Sequence, residues 1–299
     1  MDRFTAMTAF VTVAELNGFA PAARRLGLSP PAVTRLVAGL EEQLSIRLLQ
    51  RTTRSVALTD AGAHYLERAR RILADVDDAE RTARAERTEP NGRFVVVAPH
   101  VFGRREVAPL ICDFLTEYPA VTCELMLADH MVNLVEDGVD VAVRIGVLKD
   151  SSLRARTAGA TRRVVVASPS YLANHKPLRS PEDLKDHPVI QFTSISTTPE
   201  WRFYRDGKEQ RIHLAPKLIT NSADAAIGHA VRGGGPAMVL YYQVKDLVEA
   251  GKLKVVLAKY EPAPLPIQLV YSGRRLHSAN VRAFIDMTLA TRKWNFAAL

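Results

Sequence analysis

The chain has 299 residues, 47% hydrophobic and 24% charged, with a formal net charge of +8 and a pI near 9.6. That length accommodates two or three domains with packed cores, and the basic balance favours polyanionic partners, nucleic acid or a membrane surface. No stretch approaches the ~18 apolar residues of a membrane span, the N-terminal MDRFTAMTAF carries an acid where a leader would be basic, and two cysteines, Cys112 and Cys123, exclude a disulfide framework, so the cytoplasm is the expected setting and no membrane partner is expected.

Residues 2–16 place Phe4, Met7, Phe10, Val11 and Ala14 on one helical face, a scaffold expected to pack against the buried stripe of the second helix in residues 18–44. GFAPAARRLGLSPPAVTRLVAGLEEQL, residues 18–44, reads as two short helices across a tight corner. Pro21 opens the first, which runs to Leu26 and stops at Gly27. Ser29 then offers an N-cap oxygen and Pro30 starts a second helix, whose Val33, Leu36, Val37, Leu40 and Leu44 form a buried stripe. Its other face carries Pro31, Ala32, Thr34 and Arg35, short or flexible enough to let the helix approach the floor of a major groove. The bland alternative is a helical hairpin with solvated arginines.

RLLQRTTRSVALT, residues 47–59, reads as strand, turn, strand, and a winged hairpin there sets Arg51 and Arg54 against phosphates or the minor groove. Between residues 20 and 59 stand Arg24, Arg25, Arg35, Arg47, Arg51 and Arg54 against only Glu41 and Glu42, so the basic balance is local. The candidate DNA contacts are Ser29, Pro30, Pro31, Ala32, Thr34, Arg35, Arg51, Thr52, Thr53 and Arg54.

Thr59 caps a helix from Ala61 to Arg87, about 40 Å long. Its narrow stripe of Leu66, Ile72, Leu73, Val76, Ala79 and Ala83 has no partner within a lone helix, so it is expected to pair with a second copy. TEPNGR, 88–93, has the composition of a hinge. Beyond it FVVVAP is read as a strand, 101–119 as a helix, VTCELML as a strand, HMVNLVEDG as a helix and VDVAVRIG as a strand, an alternation typical of parallel sheets. RRVVVASP, PVIQF, HLAPKLITN and IQLVYSG add strands, with helices near Ala223–Val231 and Asn280–Leu289, and Gly233–Gly235 is a turn.

Three stretches, AFVTVAELNGFAPAARRLGLSPPAVTRLVAGLEEQLSIRLLQRTTRSVALTDAG, FLTEYPAVTCEL and VDVAVRIG, together with PEDLKDHP, resemble the LysR-type transcriptional regulators along essentially the whole chain. Ala20 and Pro21 depart from that pattern, where a hydroxyl residue is common, as does Ser45, where glycine often leads into the wing. The resemblance implies an α+β multidomain protein. Its parts are a winged helix-turn-helix over 1–59, a linker and dimerisation helix over 60–88, and an effector-binding α/β domain like a periplasmic binding protein over 89–299. That domain divides into subdomain I, 93–161 with 267–299, and subdomain II, 162–266. The implied partners are double-stranded DNA with an interrupted palindromic operator, a small-molecule effector, a second copy in a homodimer, a homotetramer as dimer of dimers, and RNA polymerase.

Ligands of open α/β sheets sit at the carboxyl ends of strands. Pro99, His100, Val101, Phe102, Arg144, Thr193, Ser194, Ser196 and Asn221 stand at such ends, and the family layout makes them the effector-binding candidates. Pro99 stands where relatives often place a hydroxyl for an effector carboxylate, whereas Phe102 and Val101 favour an apolar or aromatic ligand or belong to the core. The rival reading is an α/β small-molecule-binding protein or enzyme with an accessory helical domain. Against an enzyme, the eight histidines form no His-x-x-x-His pair or zinc-spaced cluster, and GxSxG and GxGxxG are absent. No catalytic residue, metal or cofactor is expected. Cys112, in LICDFL, and Cys123, in a strand, are expected to be buried and inert.

Overall fold

The structure, a computed structural model, describes residues 2–51, 56–84, 89–148, 153–273 and 278–298, with backbone alone at 51, 74–75 and 77–84. It falls into two compact units, 1–88 and 89–299.

In the first unit, α1 (Arg3–Glu15) starts where the Asp2 carboxylate accepts the N–H groups of Phe4 and Thr5. It buries Ala6, Met7, Ala9, Phe10, Val11 and Val13, whereas Phe4 is 46% exposed, so the expected stripe shifts onto the alanines that let neighbouring helices approach. α2 (Phe19–Leu26) ends at Gly27 in the left-handed region, φ +66°. α3 (Pro30–Leu44) begins where Ser29 Oγ accepts the Ala32 N–H at 3.3 Å. It buries Val33, Val37 and Leu40; Leu44, expected in the same stripe, lies in the last turn outside the small core and is exposed. Ser45 takes the left-handed conformation at φ +53°, the position at which glycine is usual.

β1 (Leu49–Arg51) and β2 (Val56–Leu58) pair antiparallel, Leu49 opposite Leu58. α4 (Asp60–Arg84) comes next in the chain, with Thr59 Oγ1 accepting the Gly62 N–H at 2.9 Å. A Cβ on Gly62 would lie 1.9 Å from the Leu48 carbonyl oxygen, so glycine alone lets α4 begin against the wing. Leu66 and Ala69 are buried in the same core as Phe10, and Leu73 leans on it. The expectation that the whole α4 stripe awaits a second copy is thereby corrected: its first half is already covered by α1, while Ile72 stays 44% exposed.

In the second unit, β3 (Gly92–Ala98) leads into α5 (His100–Phe102), a π-helical turn (Gly103–Val107) and α6 (Ala108–Glu117), then β4 (Val121–Leu127), β5 (Val141–Ile145) and β6 (Leu153–Thr161). The chain crosses at Arg162 into β7 (Arg163–Ala167), α7 (Pro169–Asn174), β8 (Val189–Phe192), β9 (Glu200–Arg205), β10 (Lys208–His213), β11 (Pro216–Thr220), α8 (Ala223–Val231), β12 (Ala237–Leu240), α9 (Tyr241–Glu249) and β13 (Lys254–Val256). It then returns through β14 (Leu265–Ser272), α10 (Ala279–Thr291) and β15 (Trp294–Phe296).

β9 and β10 pair antiparallel as a two-stranded sheet, and the two larger sheets have the orders β15-β6-β14-β5-β3-β4 and β11-β8-β12-β7-β13. Both are mixed rather than parallel, because β14 runs antiparallel to β5 and β6, and β7 runs antiparallel to β12 and β13. Three further expectations need correction. Residues 130–138 form a single turn, not a helix: Asp137 Oδ2 accepts the Asn133 N–H, Asn133 Oδ1 accepts the Val135 N–H, and Gly138 sits at φ +63°. The stretch 213–221 is split between β10 and β11, since Leu214 bonds to the Pro199 carbonyl. Cys112 is exposed, on the side of α6 away from the buried Leu110, Ile111 and Phe114.

Candidate functional site

The outward face of α3 presents Ser29, Pro30, Pro31 and Arg35 exposed, with Ala32 and Thr34 half-exposed. Thr34 Oγ1 donates to the Pro30 carbonyl at 2.9 Å, so its hydroxyl is turned back on its own helix and its methyl is the group left facing outward. The wing is fastened to this helix by Glu41, whose Oε1 accepts the N–H groups of Leu48 and Leu49 at 2.8 and 3.0 Å. One of the two acids in the basic stretch is therefore a structural anchor, which fixes the start of the hairpin against α3. The backbone of Arg51 closes β1 opposite Val56; its side chain, and Thr52, Thr53 and Arg54, lie outside the described residues.

The second unit has a cleft of about 490 Å³ between its two larger sheets. One wall comes from the carboxyl ends of β3 and β5, with Pro99 and Arg144–Leu148, and from residues 128–132 after β4; the opposite wall is Phe192 at the end of β8 with Ser194 and Ile195; Leu240, Tyr242 and Gln243 also line it. The lining is mainly apolar, with a few polar groups fixed by the frame. Gln243 Oε1 accepts the Leu240 N–H at 2.9 Å, and its Nε2 faces the Tyr242 hydroxyl at 3.4 Å. Burial, with the Asp129 charge second, pushes the Tyr242 phenol well up, so it stays protonated and available as a donor. Asp129 Oδ1 accepts the His100 N–H at 2.9 Å, and Arg144 Nη2 donates to the Val132 carbonyl at 2.7 Å. The arrangement offers shape, apolar surface and hydrogen bonds, and suits recognition of a small molecule.

Residues 4–63 match the family model for the bacterial regulatory helix-turn-helix protein, lysR family, and residues 87–293 match the LysR substrate binding domain. The chain belongs to the LysR family. It is 31% identical over 287 residues, 96% of this chain and 93% of its relative, to the HTH-type transcriptional activator AaeR of Escherichia coli. It is 33% identical over 291 residues, 97% of this chain and 92% of the relative, to an HTH-type transcriptional repressor of Pseudomonas aeruginosa. Among solved structures, CrgA, a LysR-type transcriptional regulator from Neisseria meningitidis, matches at a TM-score of 0.61 with 32% identity, covering 96% of this chain and 97% of that one. The protein is thus a DNA-binding transcriptional regulator with an effector-binding domain, and not an enzyme. Among the described residues no helix is long and apolar enough to cross a membrane.

Of the effector candidates of this LysR-type regulator, Pro99, Arg144 and Ser194 line the cleft. Val101 and Phe102 do not: Phe102 is fully buried among Tyr242, Trp294 and Phe296, with Val101 beside it in the core. His100 is exposed next to the cleft and touches its wall only through its backbone. Thr193 and Ser196 face away from it, the first bonding to the Thr220 carbonyl at 3.3 Å and the second to the Thr198 carbonyl at 2.8 Å. Asn221 lends Ser194 its carbonyl at 3.4 Å and is not part of the lining. Sequence reasoning missed Asp129, Tyr242 and Gln243. Tyr242 and Gln243 open α9 directly after β12, and a Tyr-Tyr-Gln run at a strand's carboxyl end was the available signal.

Proposed function

We propose that α3 reads operator DNA in the major groove through Pro31, Ala32, Thr34 and Arg35, with Ser29 and Pro30 at the phosphate and the hairpin residues Arg51, Thr52, Thr53 and Arg54 on the flanking backbone. The observation that carries this is the exposed outward face of α3, with Arg35 on it, tied through Glu41 to the wing. Two copies joined along the exposed part of α4 would set two reading helices one helical turn apart, hence an interrupted palindrome. Pairing of such dimers gives a tetramer, and RNA polymerase is the partner through which bound protein alters transcription. The cytoplasm is where such a regulator meets DNA.

In this reading 1–59 reads, 60–88 joins and 89–299 senses, with one of the two larger sheets of the second unit in each subdomain, 93–161 with 267–299 and 162–266. The effector held in the cleft is a small molecule with an apolar or aromatic body and one polar group, directed to Tyr242, Gln243 and Ser194. Its binding shifts the assembly by differential affinity for two arrangements. A thermal-shift screen of small metabolites tests this, because a ligand at a hundredfold its Kd stabilises by about 2.7 kcal/mol. Tyr242→Phe should weaken an aromatic hit that the native protein binds; equal affinity would place the ligand elsewhere.

A further inference from the structure

The 193–198 loop has a second face. Beyond it opens a recess of about 400 Å³ that shares only Ser194 and Ile195 with the effector cleft. Its distinguishing groups are Arg163 from β7, Arg202 and Glu200 from β9, and the hydroxyls of Thr197 and Thr198. The loop is stiffened from behind: the Trp201 indole N–H donates to Gln191 Oε1 at 2.9 Å, and Gln191 Nε2 donates to the carbonyls of Ser196 and Thr198.

Arg163 Nε is buried with no hydrogen-bond partner, and among the described residues neither Arg163 nor Arg202 forms an ion pair. Burial and the neighbouring Arg202 charge both pull the Arg163 pKa down, so the two cations disfavour one another. Glu200, the acid of the lining, lies 3.7 Å from Arg211 on the adjacent strand; the nearer partner of Arg211 is Glu209 at 2.7 Å, and the Glu209 charge also reaches Arg202 from outside the recess. A partly buried guanidinium beside a like charge is unfavourable unless a counter-charge enters. The planar fork of arginine matches the oxygens of phosphate and carboxylate groups.

We propose that this recess is a second ligand site, separate from the effector cleft, which accepts a small phosphate- or carboxylate-bearing molecule between Arg163 and Arg202, with Thr197 and Thr198 as additional hydroxyl donors. Arg163, the more buried of the two, and Arg202, which is exposed, both donate to the anion. The site stands on these residues whether or not the cleft holds the ligand assigned to it above.

Calorimetric titration of the full chain with inorganic phosphate and with succinate, at ionic strength balanced by chloride, tests the assignment. Saturable binding of at least one is expected, and the one that binds identifies the preferred oxyanion. Arg202→Gln, at an exposed position that leaves the core intact, should weaken it about tenfold or more, and Arg163→Gln likewise where that variant folds. Tyr242→Phe in the cleft should leave it unchanged. No saturable binding of either anion, undiminished binding by Arg202→Gln, or binding lost in Tyr242→Phe would each overturn the proposal.

Discussion

Arg162 Nη1 and Glu261 Oε2 lie 3.1 Å apart, with both side chains nearly enclosed, at 8% and 13% exposure. Arg162 sits between β6 and β7, and Glu261 between β13 and β14, so the pair joins the two places at which the chain passes from one sheet to the other. The guanidinium also lies 4.4 Å above the Tyr241 ring. Burial raises the Glu261 carboxyl pKa, with Arg162 acting against that rise. Removing one partner strands a buried charge: Glu261→Gln should destabilise the second unit by about 3–5 kcal/mol, and Glu261→Leu with Arg162→Met by clearly less than the two single changes together. Urea unfolding of the native protein, Glu261→Leu, Arg162→Met and the double variant measures the coupling; additive losses would show that the pair does not act as a unit.

On DNA, Arg35 and Thr34 should behave differently although they are adjacent. Arg35 is exposed, whereas the Thr34 hydroxyl is spent on Pro30. Arg35→Ala should lower affinity for the preferred site by about 1–3 kcal/mol with little effect on random duplex, and Thr34→Val should change little. Fluorescence anisotropy with both duplexes decides it, and equal weakening on both would remove Arg35 from base reading.

Assembly should depend on the exposed half of α4. Leu66 and Ala69 serve the core of the first unit, so charging them would unfold it, but Ile72 is exposed and Val76 half-exposed one turn further on. Ile72→Glu with Val76→Glu should convert oligomer to monomer while circular dichroism stays native. Sedimentation that still showed an intact oligomer would exclude this stripe as the contact.

Much of this was legible in the sequence because local chemistry and tertiary role coincide there. Ser29, Gly27 and Thr59 cap or stop helices in the structure as their types suggest, and 223–231 is a helix as its pattern indicates. The reading failed where a polar side chain or a packing partner decided. Asn133 and Asp137 close a turn over an otherwise helical pattern, and α1 covers the α4 stripe at Leu66. The β9–β10 hairpin was overlooked although Asp206 and Gly207, at φ +51° and +75°, form the Asp-Gly turn that signals one. At the cleft, strand ends point to Pro99, Arg144 and Ser194, but periodicity does not report which side of a loop a hydroxyl faces, and Thr193 and Ser196 line the neighbouring recess instead.

Stability should fall on the acid side through His187. Its Nδ1 shares a hydrogen bond with the Tyr171 hydroxyl at 2.7 Å, while Nε2 is buried without a partner. Burial, then the nearby His175, lowers its pKa below the usual 6.5. The unfolded chain therefore binds the proton more readily than the folded one, so the stabilisation from neutral His187 is present above 6.5 and is lost as pH falls through the lower, folded value. Tm measured from about pH 8 down to 5 should drop on the acid side, and His187→Gln should flatten that drop; an identical profile would exclude His187.

That this LysR-type regulator reads a particular operator as a symmetric assembly is tested most directly by selecting binding sites from a random duplex pool with the full chain and footprinting the winner. Two protected half-sites about one helical turn apart are expected, arranged as an interrupted palindrome and bound about a thousandfold or more tighter than random duplex at physiological salt. A pool that yields no common sequence, with selected and random duplexes bound equally, would contradict it.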